Sequence, residues 1–196
     1  MMRRVYDRVL EMAGRPNALP LLTALSFAES VIFPIPPDTM LMPMVLAKPD
    51  RAWRYASWCS IGSLLGGVLG YLLGMLAWGA IGGFFFEYVP GFTEEKFAHV
   101  QAIYEEWNFW IVFAAGFTPL PYKIITISAG VAGINLPVFI LASAVSRSAR
   151  FFLVAWILKR WGPPAQQFVE KNFGLVSFAF VALLVGGFLV ASKLMG

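Results

Sequence analysis

Two long stretches without a charged side chain, residues 55–86 and 172–192, constrain this chain more than any other feature. A helix needs about 20 apolar residues to cross the hydrocarbon of a bilayer, and both stretches meet that length. Composition agrees. Of the 196 residues, 59% are hydrophobic and only 13% charged. A soluble domain of this size cannot cover its surface with so few polar groups. The sequence therefore predicts an all-α integral membrane protein.

The net charge of +4 is not a nucleic-acid signal, and no nucleic acid is expected as a partner. Ten of the fifteen basic residues lie in three flanks, residues 1–15, 48–54 and 159–171. Membrane topology uses such flanks on the cytoplasmic side. Residues 87–106 instead carry Glu87, Glu94, Glu95, Glu105 and Glu106 against Lys96, and are expected outside. Arg3, Arg4 and Arg8 ahead of an apolar run could open a signal peptide, but Asp7 and Glu11 interrupt it and no small-x-small site precedes Glu29. Residues 1–14 read instead as an amphipathic surface helix, with a cytoplasmic N-terminus.

Prolines break two of the apolar regions. Residues 18–47 are interrupted at Pro34, Pro36 and Pro37, and residues 108–133 at Pro119 and Pro121. The arms on either side are too short to span, so each region is expected to be a re-entrant helical hairpin, entering and leaving on one face. Irregular backbone at that depth needs protein or water around it. Residues 52–86, 136–158 and 173–194 are the expected transmembrane helices, about three in number. Residues 93–107 are expected to form an external amphipathic helix capped by Thr93.

At an offset of 85 the first break aligns with the second, and the 52–86 span with the 136–158 span. Two hairpin-plus-span halves of opposite orientation make an inverted repeat. That construction belongs to secondary transporters, whose sites lie where the breaks meet.

Five ionisable residues fall at membrane depth: Glu29, Asp38, Lys123, Arg147 and Arg150. Each costs at least about 2.5 kcal/mol at a bilayer centre, so such residues are expected in pairs and along pathways. Asp38 and Lys123 hold equivalent places past the two tips and are expected to face each other. Lys123, Arg147 and Arg150 are the expected ligands of an anionic headgroup, and Glu29 and Asp38 the proton- or cation-coupling groups. The alternative is a closed salt-bridge network that only locks helices.

Gly62, Gly66, Gly70 and Gly74 form overlapping small-xxx-small units, which serve either packing within the chain or a homo-oligomer face. Cys59 is the single cysteine and cannot form an internal disulfide. His99, the single histidine, lies in the external polar stretch and reads as solvated. Ser128 and Asn135 read as polar contacts or helix caps near the second hairpin. No metal-ligand spacing, nucleophile elbow, P-loop or dinucleotide fingerprint occurs, so neither an enzyme nor a cofactor is expected.

The motif Phe27-Ala28-Glu29-Ser30 with Phe33-Pro34-Ile35-Pro36-Pro37-Asp38, the Gly66 to Gly74 stripe, and Gly116-Phe117-Thr118-Pro119-Leu120-Pro121-Tyr122-Lys123 with Ser146-Arg147-Ser148-Ala149-Arg150-Phe151 together resemble the DedA family. The family is also called the SNARE-associated Golgi or VTT-domain family, and the likeness is to its bacterial YqaA-like branch. It implies a transporter or flippase of a phosphate-bearing lipid, such as a polyprenyl phosphate or an anionic phospholipid, in the bacterial inner membrane. It also implies essential acidic roles for Glu29 and Asp38 and a basic one for Lys123. Phe117 departs from the arginine usual in the family, so this branch would either move a different lipid or use Arg147 and Arg150 to replace that charge. An exporter of small ions or solutes and a non-transporting envelope scaffold remain as alternatives.

Overall fold

The computed structural model describes residues 17–33, 35–88, 93–117, 122–162 and 164. The expected surface helix at 1–14, the expected span at 173–194, and Pro34, Pro119 and Pro121 lie outside them. The described residues form six α-helices, with no strand among them: α1 (Ala18–Val31), α2 (Asp38–Ala47), α3 (Ala52–Tyr88), α4 (Glu94–Phe117), α5 (Tyr122–Ala132) and α6 (Leu136–Trp161).

Helix ends follow local chemistry. The last turn of α1 closes through Ile32 and Phe33, whose N–H groups both donate to the Ala28 carbonyl at 2.9 and 2.8 Å. Pro36 and Pro37 then lack N–H donors and carry the fixed φ suited to a helix start, so the chain resumes as α2 at Asp38. Helix α5 ends at Gly133, whose φ of 70° is the left-handed conformation glycine adopts without penalty. Ile134 N–H reaches back to the Ala129 carbonyl at 3.2 Å, completing that stop. Two residues later α6 begins, with the Asn135 side chain accepting from Val138 N–H at 3.3 Å.

Two helices among the described residues, spanning Pro49–Ala80 and Leu136–Trp161, are long and apolar enough to cross a membrane. They pack on each other and organise the rest. Helices α1 and α5 lie against α3, and α2 and α4 lie against α6. The helices on either side of each break thus divide between the two long helices, the first on the long helix of its own half and the second on that of the other half. This exchange is what two halves repeating at an offset of 85 would produce. The outward side chains are apolar: Leu65 is 57% exposed and Leu76 66%. In water such a surface would drive association; in lipid it is solvated.

The inner face of α3 is made of glycine. A Cβ at Gly66 would collide with the Phe27 carbonyl of α1, and one at Gly74 with the Ile127 carbonyl of α5. A Cβ at Gly62 would collide with the Thr23 carbonyl, and one at Gly70 with the Thr126 side chain. The stripe therefore admits α1 and α5 to the backbone of α3, which is packing within the chain.

One boundary differs from expectation. Residues 93–107 and the arm expected from residue 108 are not separate; α4 runs unbroken from Glu94 to Phe117. Its first glycine is Gly116, and proline is absent throughout, so nothing in the backbone stops the helix where the charged residues end. A stack of rings at i, i+4 spacing continues along it, Phe109 on Phe113 at 5.8 Å and Phe113 on Phe117 at 6.4 Å.

Candidate functional site

Helix α6 carries two buried arginines one turn apart, and each meets a carboxylate from the first hairpin. Arg147 Nη2 donates to Glu29 Oε2 at 2.9 Å. Arg150 Nη2 donates to Asp38 Oδ2. The i, i+3 spacing puts both guanidinium groups on one face of the helix, and the two carboxylates come from either side of a single break.

Arg147 is 2% exposed and is held on all sides. Its Nε donates to Ser63 Oγ of α3 at 2.6 Å. Its guanidinium plane lies over the Tyr122 ring at 4.6 Å and over the Phe151 ring at 4.7 Å. A cation between two aromatic faces is stabilised by both quadrupoles, most strongly where water is excluded. Ser63 passes the network on to Ser30 Oγ at 2.9 Å, and Ser30 donates to the Ser26 carbonyl at 3.0 Å. Ser26 in turn donates to the Cys59 carbonyl at 2.7 Å. A seam of hydroxyls thus runs between α1 and α3 and ends on Arg147.

Arg150 lies with its guanidinium 5.9 Å from the Phe151 ring. Its partner Asp38 begins α2, where the helix dipole favours negative charge. Asp38 Oδ1 is buried and has no hydrogen-bond partner among the described residues.

Lys123 does not face Asp38. Its ammonium donates to the carbonyls of Ile32 at 3.1 Å and Phe33 at 3.5 Å. Thr126, one turn on, donates to the Ser30 carbonyl at 3.2 Å. Both side chains of α5 therefore satisfy carbonyls at the end of α1. The reason is geometric: a helix leaves its last carbonyls without intrahelical donors, and the break at the prolines presents them to the second hairpin. Asp38 points instead to the arginine of the helix on which α2 packs.

The structure thus brings Glu29, Asp38, Arg147 and Arg150 together, with Lys123 against the same break. Pro37 is buried beneath α2, while Pro36 is exposed. The sequence reading missed Ser63, Ser30 and Tyr122. A signal for the first two existed. Ser26 and Ser30 stand four apart on the buried face of α1, and a hydroxyl repeated at helical spacing in so apolar a chain implies a polar partner.

The VTT domain family model matches residues 35–160, from the first break to the end of α6. An uncharacterized protein of Haemophilus influenzae is 33% identical over 186 residues, covering 92% of this chain and 93% of its own length. An uncharacterized HI0703 homolog of Histophilus somni is 38% identical over 191 residues, covering 92% of this chain and 96% of its own. No solved structure matches the chain. With well over half of its length matched by the family model and both relatives aligned almost end to end, the chain belongs to the VTT-domain family, the DedA membrane proteins generally proposed as transporters or flippases.

Proposed function

We propose that the chain moves a phosphate-bearing lipid, such as a polyprenyl phosphate, across the bacterial cytoplasmic membrane with proton or cation coupling. The observation that carries this reading is the pair of carboxylate–guanidinium contacts at the first break, Glu29 with Arg147 and Asp38 with Arg150. Charges at membrane depth are costly, and they mark substrate and proton pathways. Helices α1, α2 and α5 are apolar but shorter than a span, which supports two re-entrant arms meeting near the midplane. The basic flank at residues 48–54 lies beside Lys159, whose ammonium sits over the Trp53 ring at 5.4 Å. That basic and aromatic edge supports a cytoplasmic interface there.

The cycle follows from charge. Glu29, Asp38, Lys123, Arg147 and Arg150 sum to one excess positive charge, and to three when both acids are neutral. A phosphate monoester carries about −1.5 to −2 near neutral pH. Without substrate the acids occupy the arginines. A phosphate headgroup displaces them, and the released carboxylates take up protons or cations. Arginine is suited to this because its fork grips phosphate at two points.

Purified protein in liposomes tests the proposal, with a tagged short-chain polyprenyl phosphate as probe and a pH gradient imposed. The expected result is protein-dependent and gradient-dependent movement of the phosphate lipid but not of the matching alcohol. Arg150→Gln and Asp38→Asn should each abolish it while the protein still folds. Movement no faster than in empty liposomes would sink the proposal. Proton flux without added lipid would instead favour a small-solute exporter.

A further inference from the structure

Two hydroxyls beside Arg147 have no role in the network described above. Tyr122 and Ser143 are both fully buried, and among the described residues neither hydroxyl makes a well-formed hydrogen bond, each having only the other close by. They are not scattered. Ser143 stands four residues before Arg147 on α6 and therefore shares its face. The Tyr122 ring lies beneath the Arg147 guanidinium, and its hydroxyl lies next to that of Ser143. Room is kept at the ring tip by Gly67 of α3, where a Cβ would stand 3.2 Å from the Tyr122 oxygen.

Phenylalanine and alanine would fill these positions without burying an unpaired polar atom. An unsatisfied buried hydroxyl is penalised, and its presence calls for a state in which it is satisfied. The neighbours define that state. Two neutral O–H donors next to a fixed guanidinium suit an anion rich in acceptor oxygens. A cation is repelled there by Arg147. The guanidinium needs no movement to receive a ligand, since Ser63 and the two rings hold it whether or not Glu29 is present. Glu29 is the member that can leave. It sits in the last turn of α1, where the helix dipole opposes negative charge.

We infer that Tyr122, Ser143 and Arg147 form a seat for a phosphate monoester, which binds there in exchange for the Glu29 carboxylate. The inference rests on the transport reading and names the residues that hold its substrate. The two hydroxyls donate to phosphate oxygens, and the guanidinium supplies the charge.

Tyr122→Phe and Ser143→Ala test the seat, because each removes one oxygen and keeps the ring or the small volume. Binding is measured on the full chain in nanodiscs with three probes: inorganic phosphate, a short-chain polyprenyl phosphate and the matching alcohol. Each variant should melt at or above the parent temperature and bind the phosphate lipid about tenfold more weakly, the scale of one hydrogen bond to a charged group. Competition by inorganic phosphate, weakened in the same variants, would show that the phosphate group alone is read. Binding of the lipid but not of free phosphate would show that the tail is needed as well. Variants that bind as tightly as the parent would overturn the seat and leave the transport reading standing. So would variants that melt far lower with unchanged affinity, since the hydroxyls would then be structural. A parent protein that binds neither phosphate probe, or binds the alcohol equally, would overturn both.

Discussion

The two ion pairs share their chemistry and differ in which member is anchored. In the first, the cation is fixed: Arg147 is gripped by Ser63 and sandwiched by Tyr122 and Phe151. Its anion is poorly supported, because Glu29 lies at the carbonyl end of α1. In the second, the anion is supported, because Asp38 opens α2 at the end where N–H groups converge. Burial follows the same order, with side-chain exposures of 2% and 13% for Arg147 and Glu29 and 8% and 14% for Arg150 and Asp38. The lesson is that a proline break lends opposite helix ends to the carboxylates on its two sides. One acid sits at the helix end that opposes its charge, and the other at the end that favours it.

Arg147→Gln should therefore do the most damage. It strands Glu29 inside the protein at the wrong end of a helix and empties the space between two rings. Breaking a buried pair from one side costs about 3–5 kcal/mol, enough to unfold much of a small membrane protein. Unfolding in detergent by circular dichroism measures it. The double variant Glu29→Gln with Arg147→Met should recover most of the loss, because no charge is then stranded. Arg150→Gln comes second, at about 2 kcal/mol, the worth of a hydrogen bond between charged groups. Equal losses from the two arginine variants would break the comparison.

Much of this arrangement is legible before any coordinates. The proline pairs and apolar runs place α1 from Ala18, α2 at Asp38–Ala47, α3 from Ala52, α5 from Tyr122 and α6 from Leu136, because prolines and loss of apolar pattern act locally. The carboxylates and arginines of the site stand out because charge is expensive in hydrocarbon. Partner choice is not legible. It depends on which helix each arm crosses, and sequence spacing does not say that α2 packs on α6 while α1 and α5 pack on the glycines of α3. Hence Asp38 reaches Arg150 and not Lys123. Likewise Tyr122 and Ser143 carry no signal of their own. A tyrosine after a break and a serine in an apolar helix acquire meaning only when both abut Arg147.

Ser63→Ala sharpens the comparison at a smaller scale. It removes the acceptor of Arg147 Nε, and a buried donor left without a partner costs about 1–2 kcal/mol here, toward the low end for such groups. The effect should be confined to the first pair. Combined with Glu29→Gln it should deviate from additivity, while combined with Asp38→Asn it should add, since groups in one network couple and separate ones do not. Chemical denaturation of the three single and two double variants gives the answer. Coupling of equal size to both acids would mean that the two pairs form one unit.

Lys123→Met should change stability least and is for that reason the most informative about function. The ammonium bonds to the Ile32 and Phe33 carbonyls at an exposed edge of the break. Water can replace it there, so the expected change is within about 0.5 kcal/mol, as for surface positions in general. If Lys123 serves only as a tie between the hairpins, transport in liposomes should persist at near-parent rates. If it guides the headgroup toward Arg150, transport should fall several-fold at low ionic strength, and salt should narrow the gap between parent and variant by screening the exposed charge. The arginine pairs would show little of that salt dependence, because buried charges are screened far less. A variant whose transport and stability both stay unchanged at every salt concentration would remove Lys123 from the site and leave recognition to the two arginines of α6.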